Sequence, residues 1–363
     1  MPRPTRALID LDALRENYSL ACRKARSTQT MAVVKADGYG HGLEQVVQAL
    51  APVAPMFAVA SIEEAFRIRE TGCRHTVLLL EGVHEAADLE ECVRHDFLPA
   101  VHCAEQIRQL EQTSLSAPLP VWLKVNTGMN RLGVAMDAVP AMVSRLEALP
   151  GACLSGLMTH FACADAEDHP MTRSQLECIV RLRDQFPHLP VSAANSAAHF
   201  RGDDCIFDWT RPGIMLFGGA PLLECTGAEL GLRPVMTLQS QLIAVREIEA
   251  GESVGYGATW VASQPTLMGI VAVGYGDGYP RHAPSGTPVA VRGRRAALIG
   301  RVSMDMLAVD LSNCPDAAVG DAVELWGGQI SVDEVARLCG TISYELLTGV
   351  TPRVPRVYRG QEE

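Results

Sequence analysis

M-A-V-V-K-A-D-G-Y-G-H-G, residues 31–42, runs from four apolar residues into Lys35 and then breaks into a segment holding Gly38, Gly40 and Gly42. A short apolar run bounded by glycines predicts a buried strand. Lys35 then stands at the carboxyl end of that strand, where α/β folds place their reactive groups. Burial disfavours the charged form of a lysine. An amine with a lowered pKa can condense with an aldehyde to form a Schiff base. Taken alone, the same lysine reads equally well as one snorkelling from a strand end into solvent.

Outward from this strand a rhythm appears. Apolar runs recur at Met56–Ala60, Val77–Leu80, Phe97–Val101, Val121–Val125, Leu154–Thr159, Val191–Ala194 and Ile214–Phe217, which with Met31–Val34 makes eight. Amphipathic segments lie between them, at Glu44–Leu50, Ile62–Glu70, Ala86–Arg94, Ala104–Gln112, Val139–Leu149 and Met171–Gln185. Alternating strands and helices predict a parallel sheet, and eight units predict closure into a (β/α)8 TIM-type barrel. An open doubly wound sheet is the alternative, but no G-x-G-x-x-G follows the first strand.

Ahead of the barrel, Ala7–Ile9 reads as a short strand and Asp10 as the N-cap of a helix from Leu11 to about Arg26. From about Leu230 the pattern becomes strand-rich: Thr237–Val245, Thr266–Val273, Pro288–Val291, Ala297–Ile299, Met306–Asp310 and Ala322–Trp326. Helical patterning returns at Ser331–Leu338 and Ser343–Thr348. The expectation is a barrel over residues 10–230 and a mostly β C-terminal domain over residues 231–363, with residues 1–9 as a strand added to the latter.

The bulk properties are those of an ordinary globular chain. It has 363 residues, 48% hydrophobic and 20% charged. A formal net charge of -11 argues against nucleic acid or an anionic membrane as the main partner. No apolar run nears the roughly 20 residues of a membrane span. The N-terminal M-P-R-P-T-R lacks the apolar core of a signal peptide, so a cytoplasmic location is expected. Eleven cysteines without a C-x-x-C pair fit free thiols, and no metal site is expected.

Residues just past the strands build the active site of a barrel of this kind. The first strand offers Lys35 and Tyr39. The fifth offers Lys124 and then Arg131, the sixth Thr159, His160 and Phe161, and the seventh Asn195 and Ser196. Arg211, Gly213 and Ile214 come with the eighth. These five ends present cations, hydroxyls and backbone donors with almost no acid, a set suited to an anionic ligand such as a phosphate. Alone, His160 reads as a hydrogen-bonded core histidine and Arg131 as a surface ion pair. Lys124 in an apolar strand is harder to dismiss, because an unpaired buried ammonium is costly.

In residues 31–42 the chain resembles the alanine racemases, a pyridoxal-phosphate family with this barrel followed by a β domain. The resemblance continues in order through K-V-N-T-G-M-N-R-L-G (124–133), M-T-H-F (158–161), A-N-S-A (194–197) and R-P-G-I-M-L-F-G (211–218). It resumes in S-V-G-Y-G-A-T-W (253–260), V-G-Y-G-D-G-Y-P-R (273–281), G-R-V-S-M-D-M (300–306) and S-Y-E-L-L-T (343–348). It implies that Lys35 binds pyridoxal 5'-phosphate covalently. Tyr39, Tyr344, Ser196 and the backbone of Gly213 and Ile214 would hold the phosphate. Arg211 would face the pyridine nitrogen with His160 behind it, and Arg131 would meet the substrate carboxylate and the cofactor's phenolic oxygen.

The same resemblance implies a homodimer with shared sites for L-alanine and D-alanine. Tyr256 of the partner subunit would complete each site, Met304 of the partner subunit would reach the substrate carboxylate through its backbone, and Tyr275 would line the entrance. Racemisation calls for two bases on opposite faces of the α-carbon. Lys35 would serve D-alanine and Tyr256 would serve L-alanine. Lys124 matches a lysine that the family carbamylates. Asn126 and Asn130 stand where the family often has Asp and Gly. Racemases of serine, lysine or many amino acids share the fold, and non-catalytic pyridoxal-phosphate proteins share the barrel alone.

Overall fold

A computed structural model describes residues 3–26 and 28–360. Residues 1, 2 and 361–363 of the expected domains lie outside them. The strand that carries Lys35 is split at Met31 into Gln29–Thr30 and Ala32–Val33. Its two edges explain the split. Met31 and Val33 N–H donate to Thr210 O and Pro212 O (2.9 and 3.1 Å), while Ala32 and Val34 N–H donate to Met56 O and Ala58 O (both 2.9 Å). One strand thus pairs with both the last and the second, and a parallel barrel closes through Phe57–Val59, Val77–Leu79, Phe97–Val101, Leu119–Asn126, Ala152–Met158, Val191–Ser192 and Trp209–Thr210. Strands covered on both faces read as unbroken apolar runs, and the second, third and fourth are buried at every position.

The eighth strand corrects the expectation. Ile214–Phe217 is a buried 3₁₀ turn, and the strand is the shorter Trp209–Thr210 before it. Pro212 and Gly213 break the extended run, and Asn17 Nδ2 then holds the turn against the first helix through Leu216 O (3.1 Å). Periodicity cannot separate four buried apolar residues in a turn from four in a strand.

The helices follow their caps and apolar stripes. Asp10 Oδ1 accepts Ala13 N–H (2.9 Å) and starts the helix Leu11–Ala25, which packs Leu11, Leu14, Tyr18 and Ala21 inward. Removing that acceptor in Asp10→Ala is expected to cost about 1 kcal/mol, read as a lower urea midpoint at an unchanged slope. Ile62–Glu70 and Ala104–Gln112 form as their patterns predict.

Beyond the barrel lies an eight-stranded, mainly antiparallel sheet. Its long strand, Met236–Ile248, shifts register between Leu242 and Ala244, so its first half pairs with Ala322–Trp326 and its second with Thr266–Val271. Arg6–Asp10, from the start of the chain, lies in the same sheet, antiparallel to Met236–Ile248 and parallel to Arg356–Arg359. Trp326 and Tyr279 stack at its core with centroids 5.9 Å apart. All eleven cysteines are free. Among the described residues no helix is long and apolar enough to cross a membrane.

Candidate active site

A cavity of about 630 Å³ opens at the carboxyl ends of the barrel strands. Lys35, Tyr39, Lys124, Arg131 and His160 line it, as do Ser196, Arg211, Gly213, Ile214 and Tyr344. Every barrel-side residue singled out as a cofactor, substrate or carbamylation candidate therefore faces one space. So does Tyr344, which the helix Ser343–Thr348 delivers from beyond the barrel. Glu81, at the end of the third strand, and Glu345 also line the cavity, so the site is less free of acid than the strand ends alone suggest.

Lys35 leaves its strand into an unusual turn. Ala36, Asp37, Gly38 and Tyr39 have φ of 53°, 56°, 61° and 52°, a left-handed run in which three of the four residues carry a Cβ. Each such residue costs about 1–2 kcal/mol relative to the right-handed form. The turn holds Tyr39 under the barrel mouth, stacked on Phe217 at 4.8 Å and 6.2 Å from the Tyr344 ring. Burial, and then the Arg131 charge, push the Lys35 pKa down from its usual value, which favours the free amine.

The far end of the cavity is built to receive an anion. Ser196 Oγ accepts Gly213 N–H (2.8 Å) and Met215 N–H (3.4 Å), which leaves its own proton to donate. Ile214 N–H, first in its 3₁₀ turn, has no partner among the described residues. A methyl group on Gly213 would overlap the Tyr39 hydroxyl, so the close approach of those two requires glycine. Burial raises the pKa of Tyr39 and Tyr344, keeping both as neutral hydroxyl donors.

Cations dominate the remaining wall. Arg211 is 4% exposed, and its guanidinium donates to Ser192 Oγ and to Thr159 O. Burial lowers its pKa to about 10, so it stays charged at neutral pH. His160 is driven well below its usual range by burial and then by Arg211, Arg131, Lys124 and Lys35, so its ring is neutral. Lys124 is 8% exposed and has one hydrogen bond among the described residues, a long one of 3.5 Å to Leu80 O. Burial and three neighbouring cations bring its pKa down to about 8. Asn126 and Asn130 bond to each other (2.8 Å), and Asn130 adopts φ 56°, the left-handed region that glycine enters most easily.

Tyr256, Tyr275 and Met304 do not line this cavity. They sit on the β-rich half, exposed, Tyr256 at 69%. Tyr275 and Met304 form one edge, because Tyr275 N–H donates to Ser303 O (3.0 Å) and Gly276 N–H to Met304 O (2.8 Å). Asp277 anchors that edge from beneath, bonded to Arg3 (2.7 and 2.9 Å) and Arg353 (3.0 Å). Among the described residues no three His, Cys, Asp or Glu side chains converge as metal ligands.

Comparison with known proteins gives a consistent answer. The model of the alanine racemase N-terminal domain matches residues 9–221, and that of the alanine racemase C-terminal domain matches residues 235–358. An alanine racemase of Marinobacter nauticus is 56% identical, over 99% of this chain and 100% of its own. A biosynthetic alanine racemase of Pseudomonas aeruginosa is 53% identical over 98% and 99%. The crystal structure of the biosynthetic alanine racemase from Pseudomonas aeruginosa superimposes with a TM-score of 0.95, covering 98% of this chain and 99% of that one at 51% identity. That of the alanine racemase from Acinetobacter baumannii gives 0.93 at 38% identity, covering 98% and 100%. With both halves matched and the relatives alike from end to end, the chain belongs to the alanine racemase family.

Proposed function

We propose that this chain interconverts L-alanine and D-alanine by a two-base mechanism dependent on pyridoxal 5'-phosphate, as a cytoplasmic homodimer with shared sites. In this reading residues 10–230 form the cofactor-binding barrel. Residues 231–363, joined by the N-terminal strand, form the domain that reaches into the partner's site. The observation that carries the reading is Lys35, a half-buried amine with a lowered pKa, facing a wall of hydroxyl and cationic donors.

The residues fit the cofactor. The Lys35 amine suits its aldehyde, and Tyr39, Ser196, Tyr344 and the Gly213–Ile214 backbone suit its phosphate. Pyridoxal phosphate, when bound, supplies a carbonyl that takes up the substrate amine and a conjugated ring that makes the α-proton acidic. Lys35 takes that proton from D-alanine, and Tyr256 of the partner subunit takes it from L-alanine. When one takes the proton, the other delivers one to the opposite face of the α-carbon. Arg131 meets the substrate carboxylate, as does the backbone of Met304 from the partner subunit. Tyr344, inside the cavity, and Tyr275 at the entrance leave room for little more than a methyl side chain.

Lys124 acts through charge. With a pKa near 8, part of its amine is neutral and can add carbon dioxide, releasing a proton and leaving a carbamate anion. That anion would orient Arg131 and relieve the crowding of like charges.

Arg211 remains a cation and does not accept a proton from its surroundings. Were it to face the ring nitrogen of the bound cofactor, it would restrain transfer of the α-proton to any site but the α-carbon. Arg211→Glu is accordingly expected to raise pyruvate formation from alanine above the parent level; unchanged pyruvate would count against this role.

The deciding assay is conversion of L-alanine to D-alanine, and the reverse, by purified protein with added pyridoxal phosphate. Turnover from both enantiomers is the expected result. Cofactor uptake without turnover on alanine would move the substrate to another amino acid.

A further inference from the structure

The left-handed run after Lys35 needs an explanation that the site itself does not supply. L-residues disfavour this conformation, and strained backbone persists at functional positions only where its surroundings over-determine it. Part of the hold is internal: Gly38 N–H donates to Val34 O and Gly40 N–H to Ala36 O (both 2.9 Å). Asp37 also accepts Gly42 N–H (2.9 Å) and Leu43 N–H (3.2 Å), and a further part of the hold comes from the helix Ile62–Glu70, which follows the second barrel strand. Glu64 Oε1 accepts Ala36 N–H (2.7 Å), the first amide after Lys35. Its Oε2 accepts Ala60 N–H (2.9 Å), at the end of the second strand. One turn further along, Arg67 bonds Asp37 (2.5 Å) and Glu44 (2.9 Å).

Glu64 makes these bonds in place of more ordinary ones. Ser61-Ile62-Glu63-Glu64 has the spacing of a capping box, in which the glutamate would turn back to the Ser61 amide. The structure has no such box: Ser61 makes no side-chain cap, and the Glu64 carboxylate bridges the first two strand ends instead. Glu64 does not line the cavity, so it touches no ligand there. Its charge also favours the protonated form of Lys35, opposing burial and Arg131.

We infer that Glu64 is a positioning residue for Lys35, its carboxylate holding the left-handed turn at the angle that aims the lysine amine into the cavity. The inference rests on Lys35 serving the D-alanine face, as proposed above. Glu64→Gln keeps the shape and one accepting oxygen, whereas Glu64→Ala removes both acceptors. In cofactor-loaded full-length protein, kcat/KM for alanine should fall on the order of tenfold in Glu64→Gln and a hundredfold in Glu64→Ala. The diagnostic readout is the isotope effect. With the Lys35 step slowed, the effect from α-deuterated D-alanine should rise and that from α-deuterated L-alanine should fall. A lesion that merely lowers the folded fraction moves neither.

A second readout needs no turnover: the visible circular dichroism of the lysine-bound cofactor should change at equal cofactor content and unchanged far-ultraviolet signal. Unaltered isotope effects together with an unaltered visible band would overturn the inference. Should Glu64→Ala fail to fold, Glu64→Gln decides by the same two measurements. A parent protein that takes up cofactor but does not turn over alanine sinks the racemase reading, and the visible band still decides the role of Glu64.

Discussion

Lys35→Ala is expected to lose racemisation by at least about 10⁴-fold in both directions, because it removes the covalent anchor and one of the two bases together. Lys35→Arg should be no better, since a guanidinium keeps its proton at any working pH. Borohydride reduction followed by peptide mass measurement should place the cofactor on Lys35 in the parent and on no lysine in either variant. The pH profile carries a sign that can be checked. Lys35 abstracts a proton only as the free amine, and burial and Arg131 lower its pKa. The kcat from D-alanine should therefore rise with pH and level off below the ordinary lysine range near 10.4. A plateau reached only above that range would remove Lys35 as the base.

Tyr256→Phe should lower turnover by about 10²–10⁴-fold, the usual weight of one acid–base group. The stronger test mixes two inactive proteins. Tyr256 lies outside the cavity of its own chain and is 69% exposed, while Lys35 lies inside. If each site takes Lys35 from one chain and Tyr256 from the other, a heterodimer of Lys35→Ala and Tyr256→Phe chains has one intact site and one doubly altered site. Random reassortment of equal amounts makes half the dimers mixed, so roughly a quarter of parental activity should return. No recovery from chains shown to exchange subunits would dismiss the shared site.

Much of this was legible in the residues, for a physical reason. Barrel strands covered on both faces must be apolar throughout, so runs such as Val77–Leu79 stand out between amphipathic helices. Their ends then name Lys35, Lys124, His160, Ser196 and Arg211 together. What escaped had no sequence signal of its own. Trp209–Thr210 is a two-residue strand beside a more apolar turn, Ile214–Phe217, which imitates one. The left-handed run uses Ala36, Asp37 and Tyr39, of which only Asp enters that region with any ease. Glu64 has the spacing of a capping-box residue but bonds elsewhere, across a gap that local spacing cannot reveal.

The strand Arg6–Asp10 has a consequence for how the chain is made. It leaves the ribosome well before either of its neighbours in the sheet, Met236–Ile248 and Arg356–Arg359. At about 5–20 residues per second, the first neighbour follows on the order of ten to fifty seconds later, and the second later still. Everything needed for the barrel is synthesised in that interval, while the opening strand waits with both edges bare. A newborn chain can thus own a finished barrel and still lack a closed second sheet, and an unpaired edge is an invitation to pair with the wrong chain. The strand is therefore most exposed to aggregation until Met236–Ile248 emerges, and chaperones that shield early strands should matter more to yield than any that act on the completed protein.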